Sequence, residues 1–319
     1  MKILIVTPAP AGTRLGNRIT ALRWQRILRE LGHHVRIAQR WREGERCDVL
    51  VALHATKSAD SIRTFRERHP RLPVVVALTG TDIYVDRDRD ARMRRSLELA
   101  TRLVVLQSEA LGALRSKYRR KARVIRQSAT PFRGRGGRRR SGFAVVALAH
   151  LRAIKNPLLA ARAARLLPDD SQIRIEHYGS ALDPALGREA RRESGRNSRW
   201  RWRGERSHTE ALRVLANADA FLETSNSEGG STAMSEAIVR GVPILSTRTP
   251  GALGMLGRGH RGFFPPGDAR ALADLLRRCE RDAAFRRGLA AASRKRAPLF
   301  APAKECAAWR ALLRELGLR

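Results

Sequence analysis

The sequence has few of the residues that mark several common classes of protein. Its three cysteines, Cys47, Cys279 and Cys306, form no CxxC or metal-like spacing, so they predict neither a disulfide framework nor a zinc site. No apolar run approaches the roughly 20 residues of a membrane span. The short run in MKILIVTPAP is closed by prolines and does not resemble a signal peptide. We therefore expect a cytoplasmic protein with reduced thiols and no membrane span.

Aromatic residues are also scarce, whereas basic residues are abundant. Phe, Trp and Tyr make up 5% of the chain, and 64 Lys and Arg against 30 Asp and Glu give a formal net charge of +34. Such a charge is typical of nucleic-acid-binding proteins. The arginines, however, are spread along every predicted helix, and stacking platforms for bases are few. We expect anionic small molecules as the main partners, with nucleic-acid binding as an alternative, and find no signal of an oligomeric state.

Short apolar runs alternate with amphipathic helical stretches along all 319 residues. This alternation predicts an α/β fold with doubly wound parallel sheets. The stretch RGRGGRRRSG, residues 133–142, interrupts it and predicts a linker. We expect two Rossmann-like domains, 1–138 and 139–300, facing a cleft, and a helix at 301–319 that returns to the first domain. The predicted strands are 3–7, 35–38, 48–53, 74–78, 103–106, 123–125, 143–149, 173–178, 220–223 and 242–246.

The stretch SEGGSTAMSEA, residues 227–237, carries two glutamates, Glu228 and Glu236, between a predicted strand and a predicted helix. Paired carboxylates suggest acid–base chemistry. Eight helical steps would separate these two by about 12 Å, whereas the carboxylates of a glycosidase lie roughly 5–9.5 Å apart. The spacing therefore argues against an acid–base pair.

The same stretch has the features of a phosphate-binding turn. Gly229 and Gly230 let a ligand approach the backbone, and Ser231 or Thr232 would begin the helix. No Glu or Gln follows at the position that closes a capping box, so we expect free N–H groups, which suit a diphosphate at the positive end of the helix. The two glutamates would then accept hydrogen bonds from sugar hydroxyls and from a ribose, respectively. A surface turn is the alternative.

Further candidates for contacts with a diphosphate-bearing sugar donor follow other predicted strands of the second half. HLRAIKNP places Arg152 and Lys155 at a strand end, where two cations would neutralise a diphosphate leaving group. YGSALD ends a strand with Gly179, where a nucleotide could pass close. RWRGERSHTEAL places Arg203 and Gly204 before a helix, where their backbone could contact a base. A solvated helix start is the alternative for the basic pair.

Three loops of the first half follow predicted strands and would supply an anion site for an acceptor. GTRLGNRIT runs into a helix that Asn17 would cap, with Arg18 beside it. His54 could instead have a purely structural role, and Asp82 could instead cap a helix or a turn. The candidates are Gly16, Asn17, Arg18, His54, Lys57, Thr79, Gly80, Thr81 and Asp82.

The acidic stretch DRDRD, from Asp86 to Asp90, resembles the metal-binding motif of another transferase architecture. Its arginines could neutralise it. Arg152, Lys155 and the helix dipole already offset the charge of a diphosphate, which is the task a metal would perform. We therefore expect no metal and no other cofactor.

Together these residues resemble the two-domain glycosyltransferases of the GT-B type. Glu228 and Glu236 match the E-x7-E motif of the retaining family-four group, and Arg152 and Lys155 match its basic pair. Within that group the chain is most similar to the selenosugar synthases of selenoneine biosynthesis (SenB). The similar stretches span most of the chain: TPAPAGTRLGNRITALRWQRILRELGH, ALHATKSADSI, LTGTDIY, RLVVLQ, ALDPALG, SEGGSTAMSEAI and GMLG…GFFPPGDA.

The resemblance implies transfer of a sugar from a UDP-sugar, chiefly UDP-N-acetylglucosamine, to selenophosphate, with formation of a carbon–selenium bond. The resemblance also implies catalytic roles for Arg152, Lys155 and Glu228. The reaction would need little help from a general base, because selenophosphate is an anionic and strong nucleophile. An ordinary glycosyltransferase with a hydroxyl acceptor is the alternative. The chain departs from that family in having Asn226–Ser227 before the EGG and Ala252 after the Pro-Gly.

Overall fold

The computed structural model describes residues 1–84, 90–131 and 142–318, without the side chain of Thr81. The described chain forms two compact units, Met1–Gln127 with Pro302–Arg319, and Ser128–Ala301. The predicted linker, except Gly142, lies outside the described residues. So do the expected boundary between 138 and 139 and the first four residues of DRDRD.

The first unit is a parallel six-stranded sheet with the strand order β2-β1-β3-β4-β5-β6. Its central strands, VLVAL and VVVAL, are buried along their whole length, as expected where helices cover both faces of a sheet. Between the fifth and sixth strands the chain forms two short helices. The elements are β1 Lys2–Val6, α1 Gly16–Glu30, β2 His34–Ala38, β3 Val49–Leu53, α2 Ala59–Arg68, β4 Val74–Leu78, α3 Thr81–Tyr84, α4 Ala91–Leu99, β5 Arg102–Val105, α5 Glu109–Gly112, α6 Ser116–Arg119 and β6 Ala122–Val124.

The second unit is also a parallel six-stranded sheet, with the order β12-β11-β10-β7-β8-β9. Strands β9 and β12 were not predicted, because two or three residues carry no periodicity. The elements are β7 Phe143–Leu148, a 3₁₀ turn Ala153–Lys155, α7 Leu159–Arg165, β8 Ile173–Tyr178, α8 Pro184–Arg196, β9 Trp200–Trp202, α9 His208–Ala216, β10 Ala220–Glu223, α10 Thr232–Arg240, β11 Ile244–Thr247, α11 Pro250–Leu256, β12 Phe263–Phe264, α12 Ala269–Arg281, α13 Ala283–Arg296 and a 3₁₀ turn Ala297–Phe300.

The last helix, α14 (Pro302–Glu315), belongs to the first unit. Trp309 of this helix makes an edge-to-face contact with Trp24 of α1, with ring centroids 4.9 Å apart. The indole Nε1–H of Trp24 donates to Glu305 Oε1 at 2.9 Å. All three side chains are buried. The predicted return of the C-terminal helix to the first domain is confirmed.

The order of the strands places one switch point in each sheet. In the second unit β7 lies between β8 and β10, so the chain leaves β7 toward one side and reaches β10 on the other. In the first unit β1 lies between β2 and β3. Ligands of doubly wound sheets bind outside the carboxyl ends of strands at such points. We therefore expect ligands at the loops after β7 and β10 in the second unit and at the loops after β1 and β3 in the first.

Candidate functional site

Lys155 lies at the switch point of the second unit, in a loop that the neighbouring strand holds in place. Helix α7 begins at Leu159 and not directly after the 3₁₀ turn, because Asn156 adopts a left-handed conformation, with φ of 42°, that ends the turn. Thr224 Oγ1 donates to the carbonyl of Lys155 at 2.9 Å, and the Asn226 N–H donates to the carbonyl of Ile154 at 2.8 Å. The segment after β10 thus fixes the backbone that carries the ammonium.

The ammonium of Lys155 forms an ion pair with the carboxylate of Glu228. The two side chains are 22% and 12% exposed, so the pair is largely shielded from water. Burial alone would lower the pKa of Lys155, but the carboxylates of Glu228 and Glu223 outweigh it and raise that pKa. Burial raises the pKa of Glu228, with Glu223 adding to the effect and Lys155 opposing it. Arg152, the other predicted cation, is exposed at the start of the 3₁₀ turn.

The start of α10 was predicted as an anion-binding turn, and the structure modifies that prediction. Ser231 is the N-cap, and its hydroxyl accepts from the Met234 N–H at 3.2 Å. Its own N–H donates to Met255 Sδ at 3.4 Å. Two of the donors that we expected to be free are therefore used within the protein.

The loop between β10 and α10 packs against α11 and is not a surface turn. Gly229 and Ser231 are buried, and the Gly230 N–H bonds to the carboxylate of Glu228. Gly251, in the first turn of α11, lies directly against this loop. A Cβ at Gly251 would come within 1.9 Å of the Glu228 carbonyl oxygen, so only glycine fits there. The packing of α11 thus determines where Glu228 stands.

Glu223 was not among the predicted site residues, although it ends β10 beneath this loop. It is 5% exposed. Its Oε2 accepts from Ser231 Oγ at 2.8 Å and its Oε1 accepts from Ser225 Oγ. Its position in an apolar strand suggested only a strand residue. A charged residue inside a buried run is the signal that could have identified it.

Glu236 lies on α10 with 9% of its side chain exposed. His208, the first residue of α9, directs its Nε2 to Glu236 Oε1 at 2.7 Å, while its own side chain is 73% exposed. Sequence reasoning missed His208, because the two residues stand 28 positions apart and nothing in their local patterns joins them. A ligand that reaches Glu236 meets His208 as well.

The remaining predicted donor residues have structural uses of their own. Gly179, with φ of 151°, lies against the backbone of Ala149. A Cβ at this position would stand 2.1 Å from the Ala149 carbonyl oxygen, so only glycine fits. Its N–H donates to the Gly204 carbonyl at 2.9 Å. The Arg203 N–H donates to the His177 carbonyl at 2.8 Å, and its guanidinium pairs with Glu176. The Arg203 N–H is therefore already bonded within the protein, and a contact of the Arg203–Gly204 backbone with a base stays a prediction.

In the first unit the loops after β1 and β4 meet. Helix α1 begins at Gly16 after Leu15, so the prediction that Asn17 caps it is wrong. Asn17 Oδ1 instead accepts from Thr79 Oγ1 at 2.7 Å. The Arg18 N–H donates to the Leu15 carbonyl, whereas Arg18 Nε is buried with no hydrogen-bond partner among the described residues. Asn17 therefore ties the start of α1 to the end of β4.

Asp82 joins the loops after β3 and β4. Its buried carboxylate accepts from the N–H groups of Ala55 at 3.0 Å and Gly80 at 2.9 Å. Burial raises the pKa of Asp82, against the lowering effect of His54, whose Nδ1 lies 3.8 Å from Asp82 Oδ2. His54 is buried with φ of 72°. These two residues hold the loops in shape, whereas Lys57 in the same region is exposed.

Within residues 1–84, 90–131 and 142–318, no group of three His, Cys, Asp or Glu side chains is placed to hold a metal ion. Asp90, the last residue of DRDRD, caps α4 by accepting from the N–H groups of Arg92 and Met93. In the same part of the chain, no helix is both long and apolar enough to cross a membrane.

Comparison with known proteins extends this description. The profile of the family described as glycosyl transferases, group 1, matches residues 132–296. No curated protein matches the sequence.

Several solved structures have the same fold. Sucrose-phosphate synthase from Thermosynechococcus elongatus is 18% identical with a TM-score of 0.78, and the match covers 99% of each chain. HepE of Anabaena, solved with UDP and glucose, is 16% identical with a TM-score of 0.75, over 99% of this chain and 100% of its own. A UDP-forming α,α-trehalose-phosphate synthase from Burkholderia xenovorans is 13% identical with a TM-score of 0.70, over 95% and 78%. These likenesses confirm the predicted GT-B fold.

Proposed function

The chain belongs to the group 1 family of glycosyl transferases, and on that premise we propose that it transfers a sugar from a UDP-sugar to selenophosphate. UDP-N-acetylglucosamine is the proposed donor and a selenosugar with a carbon–selenium bond is the proposed product. The donor class is supported by HepE, which has the same fold and was solved with UDP and glucose. The acceptor is supported by the resemblance to the selenosugar synthases.

The observation that carries the proposal is the ion pair of Lys155 and Glu228 at the switch point of the second unit. A diphosphate that binds there competes with Glu228 for the ammonium and gains the positive end of α10. Glu228, once released, is free to accept hydrogen bonds from hydroxyls of the donor sugar. One bound molecule thus satisfies both partners of the pair, with its phosphate at Lys155 and its sugar at Glu228.

The ribose of the donor is assigned to Glu236, whose Oε1 is held by His208. A carboxylate that accepts from a histidine can also accept from the two hydroxyls of a ribose, since it has about four acceptor positions. His208 lies against this carboxylate, and its own side chain is mostly exposed. We include it among the donor-binding residues.

The reaction follows from this arrangement. Selenium of the acceptor attacks the anomeric carbon, a carbon–selenium bond forms, and the bond from that carbon to the diphosphate oxygen breaks. The phosphoryl group of the acceptor stays on selenium in this step. The electron pair leaves with UDP, where Lys155, Arg152 and the start of α10 stabilise the developing charge. Orientation of the two substrates supplies the rest of the acceleration. No general base is required, because the acceptor arrives as an anion.

The acceptor site is assigned to the carboxyl edge of the first unit. Lys57 is exposed beside loops that His54 and Asp82 hold in shape. Arg18 has a buried Nε without a hydrogen-bond partner in the described chain, which suits a ligand oxygen. Two cations at this edge would offset the charge of a phosphate-bearing nucleophile.

Mass spectrometry of the products tests the proposal. The protein is incubated with UDP-N-acetylglucosamine, with and without selenophosphate, and UDP release is followed in parallel. We expect a sugar product with the isotope pattern of selenium, formed only when both substrates are present. UDP release that requires a hydroxyl compound and yields no selenium product would favour the hydroxyl-acceptor alternative. Tight, salt-sensitive binding of nucleic acid without UDP binding would favour the nucleic-acid alternative.

A further inference from the structure

Glu223 is a buried carboxylate whose two oxygens are both held by serine hydroxyls. Oε1 accepts from Ser225 Oγ, and Oε2 accepts from Ser231 Oγ at 2.8 Å. If the carboxylate turned away, two buried hydroxyls would lose the acceptor for their hydrogens and the carboxylate would lose its own partners, which is costly in a protein interior. Glu223 is therefore a fixed group.

This fixed carboxylate orients the start of α10. The Ser231 hydroxyl donates to Glu223 and accepts from the Met234 N–H, so one oxygen serves both the carboxylate and the helix cap. A cap hydroxyl with its hydrogen committed in this way presents its lone pairs to the helix. The first turn of α10 therefore stands where Glu223 places it.

The same carboxylate acts on Lys155. Thr224, the next residue along the chain, donates to the carbonyl of Lys155 and joins the two backbones. The charged groups that act on the ammonium are Glu228, Glu223 and Arg152. Of the two carboxylates, Glu228 is in a loop and has the ammonium itself as a partner, whereas Glu223 is held by hydroxyls. His177, on β8, is a further titratable group within the influence of Glu223.

We propose that Glu223 is a positioning residue, which keeps Lys155 cationic and the start of α10 in place when Glu228 exchanges the ammonium for the donor sugar. This inference rests on the proposed function, since it takes an anionic donor to bind at Lys155. Without Glu223, the ammonium would have no resident counter-charge in the interval after Glu228 has released it and before the diphosphate is seated, although it is largely buried. Such an ammonium tends to lose its proton.

The first test needs no donor. Lys155 is titrated in the empty protein by following its labelling with an amine-reactive reagent across pH, using mass spectrometry of peptides. The E228Q variant imitates the exchanged state, and E223Q/E228Q removes the resident charge as well. We expect a lower pKa of Lys155 in E223Q/E228Q than in E228Q, and recovery in E223D/E228Q, because aspartate retains the charge. Equal pKa values in E228Q and E223Q/E228Q would overturn the proposal.

The second test measures turnover. We expect E223Q to lower kcat roughly tenfold to a hundredfold, as for a lost charge-assisted hydrogen bond, and to move the alkaline limb of the pH profile to lower pH. E223D should keep the limb in place with a reduced kcat, because it retains the charge but is one methylene shorter. A purely structural role would lower the melting temperature without moving the limb.

The matched control is E280Q. Glu280 also accepts from a serine hydroxyl, Ser171 Oγ at 3.0 Å, and from the Gln172 N–H at 2.6 Å. Gln172 precedes β8, so Glu280 lies at the amino edge of the sheet, away from the site. E280Q should keep the wild-type pH profile. If E223Q does not fold, E223D decides: an alkaline limb moved to lower pH in E223D, which retains the charge, would overturn the proposal.

Failure of the proposed function leaves a different pattern. A wild-type protein that neither binds UDP nor turns over would refute the donor site, whereas the titration of Lys155 would still report whether Glu223 keeps the ammonium charged.

Discussion

The ammonium of Lys155 and the carboxylate of Glu228 form an ion pair although 73 positions separate them in the chain. Breaking a largely buried pair from one side leaves the other charge uncompensated. We therefore expect K155M to lower the free energy of unfolding by up to about 3 kcal/mol. The double variant K155M/E228Q should recover part of that loss. Urea unfolding of the four proteins measures the cycle, and all three variants should lose most turnover.

The exposed pair of Arg165 and Glu193 provides the control for this cycle. Arg165 Nη2 lies 2.7 Å from Glu193 Oε2, with the arginine side chain 52% exposed. Water screens such a pair, so R165M should hardly change the unfolding curve. A double variant K155M/E228Q that is no more stable than K155M would show that the charge of Glu228 is not the source of the loss.

Much of the fold was predictable because parallel strands buried on both faces read as continuous apolar runs. VLVAL and VVVAL are such runs and both were predicted. Contacts across the sheet could not be predicted in this way. The link of Asn17 to Thr79 spans 62 positions and that of His208 to Glu236 spans 28, and neither leaves a local pattern. Glycine is required at position 179 because the backbone of Ala149 lies against it, and only the folded chain brings the two together.

Replacement of Gly251 tests whether α11 positions Glu228. A Cβ in G251A would meet the Glu228 carbonyl oxygen at 1.9 Å, so the loop after β10 must move. We expect a loss of about 1–3 kcal/mol of stability, as for overpacking, and at least a tenfold loss of kcat/KM, as misplacement of about 1 Å can produce. Steady-state kinetics and thermal unfolding measure the two effects.

G259A serves as the matched control, because a Cβ at Gly259 has nothing within 4 Å and the residue belongs to the same unit. It should behave as the wild type. Wild-type kcat/KM in G251A would mean that the loop adjusts without moving the Glu228 carboxylate.

The burial of His177 leads us to expect that the stability of the second unit falls in acid. Its Nε2–H donates to the Ala149 carbonyl at 2.8 Å, and its Nδ1 is buried with no hydrogen-bond partner among the described residues. Burial lowers the pKa of His177 from 6.5 to about 4. Between these values the unfolded chain binds a proton that the folded protein refuses, so stability falls as pH decreases through this window. The loss should reach at most about 3 kcal/mol.

Unfolding measured between pH 7 and pH 4 tests this effect with two variants. H177Q keeps a donor for the Ala149 carbonyl and does not titrate, so its stability should fall less steeply with acid than that of the wild type. His34 is exposed, and H34Q should retain the wild-type slope. Identical slopes in wild type and H177Q would show that other groups cause the acid sensitivity.

Removal of divalent metal should leave the proposed reaction intact. In the proposed reaction Lys155, Arg152 and the positive end of α10 take the place of the charge that a metal would otherwise bring to a diphosphate. We expect the same rate of UDP release before and after treatment with EDTA. Loss of activity with EDTA and its recovery with Mn²⁺ would contradict this, and Asp86 and Asp88 of the DRDRD stretch would become the first residues to replace.

The acceptor prediction concerns Lys57 and Arg18. A phosphate-bearing nucleophile that approaches a UDP-sugar brings two anions together, and in the proposed reaction the cations of the second unit serve the donor. We expect K57A or R18A to lower kcat/KM for selenophosphate roughly tenfold to a hundredfold, from the loss of about 1.5–3 kcal/mol for one charge-assisted hydrogen bond. UDP affinity, measured by calorimetry, should change much less.

K2A is the matched control. Lys2 is exposed at the start of β1, the opposite edge of the same sheet, so K2A removes a positive charge without touching the proposed site. Equal losses of acceptor efficiency and UDP affinity in K57A and R18A would assign both residues to the donor phosphates, and the anionic acceptor would lose its support in the first unit.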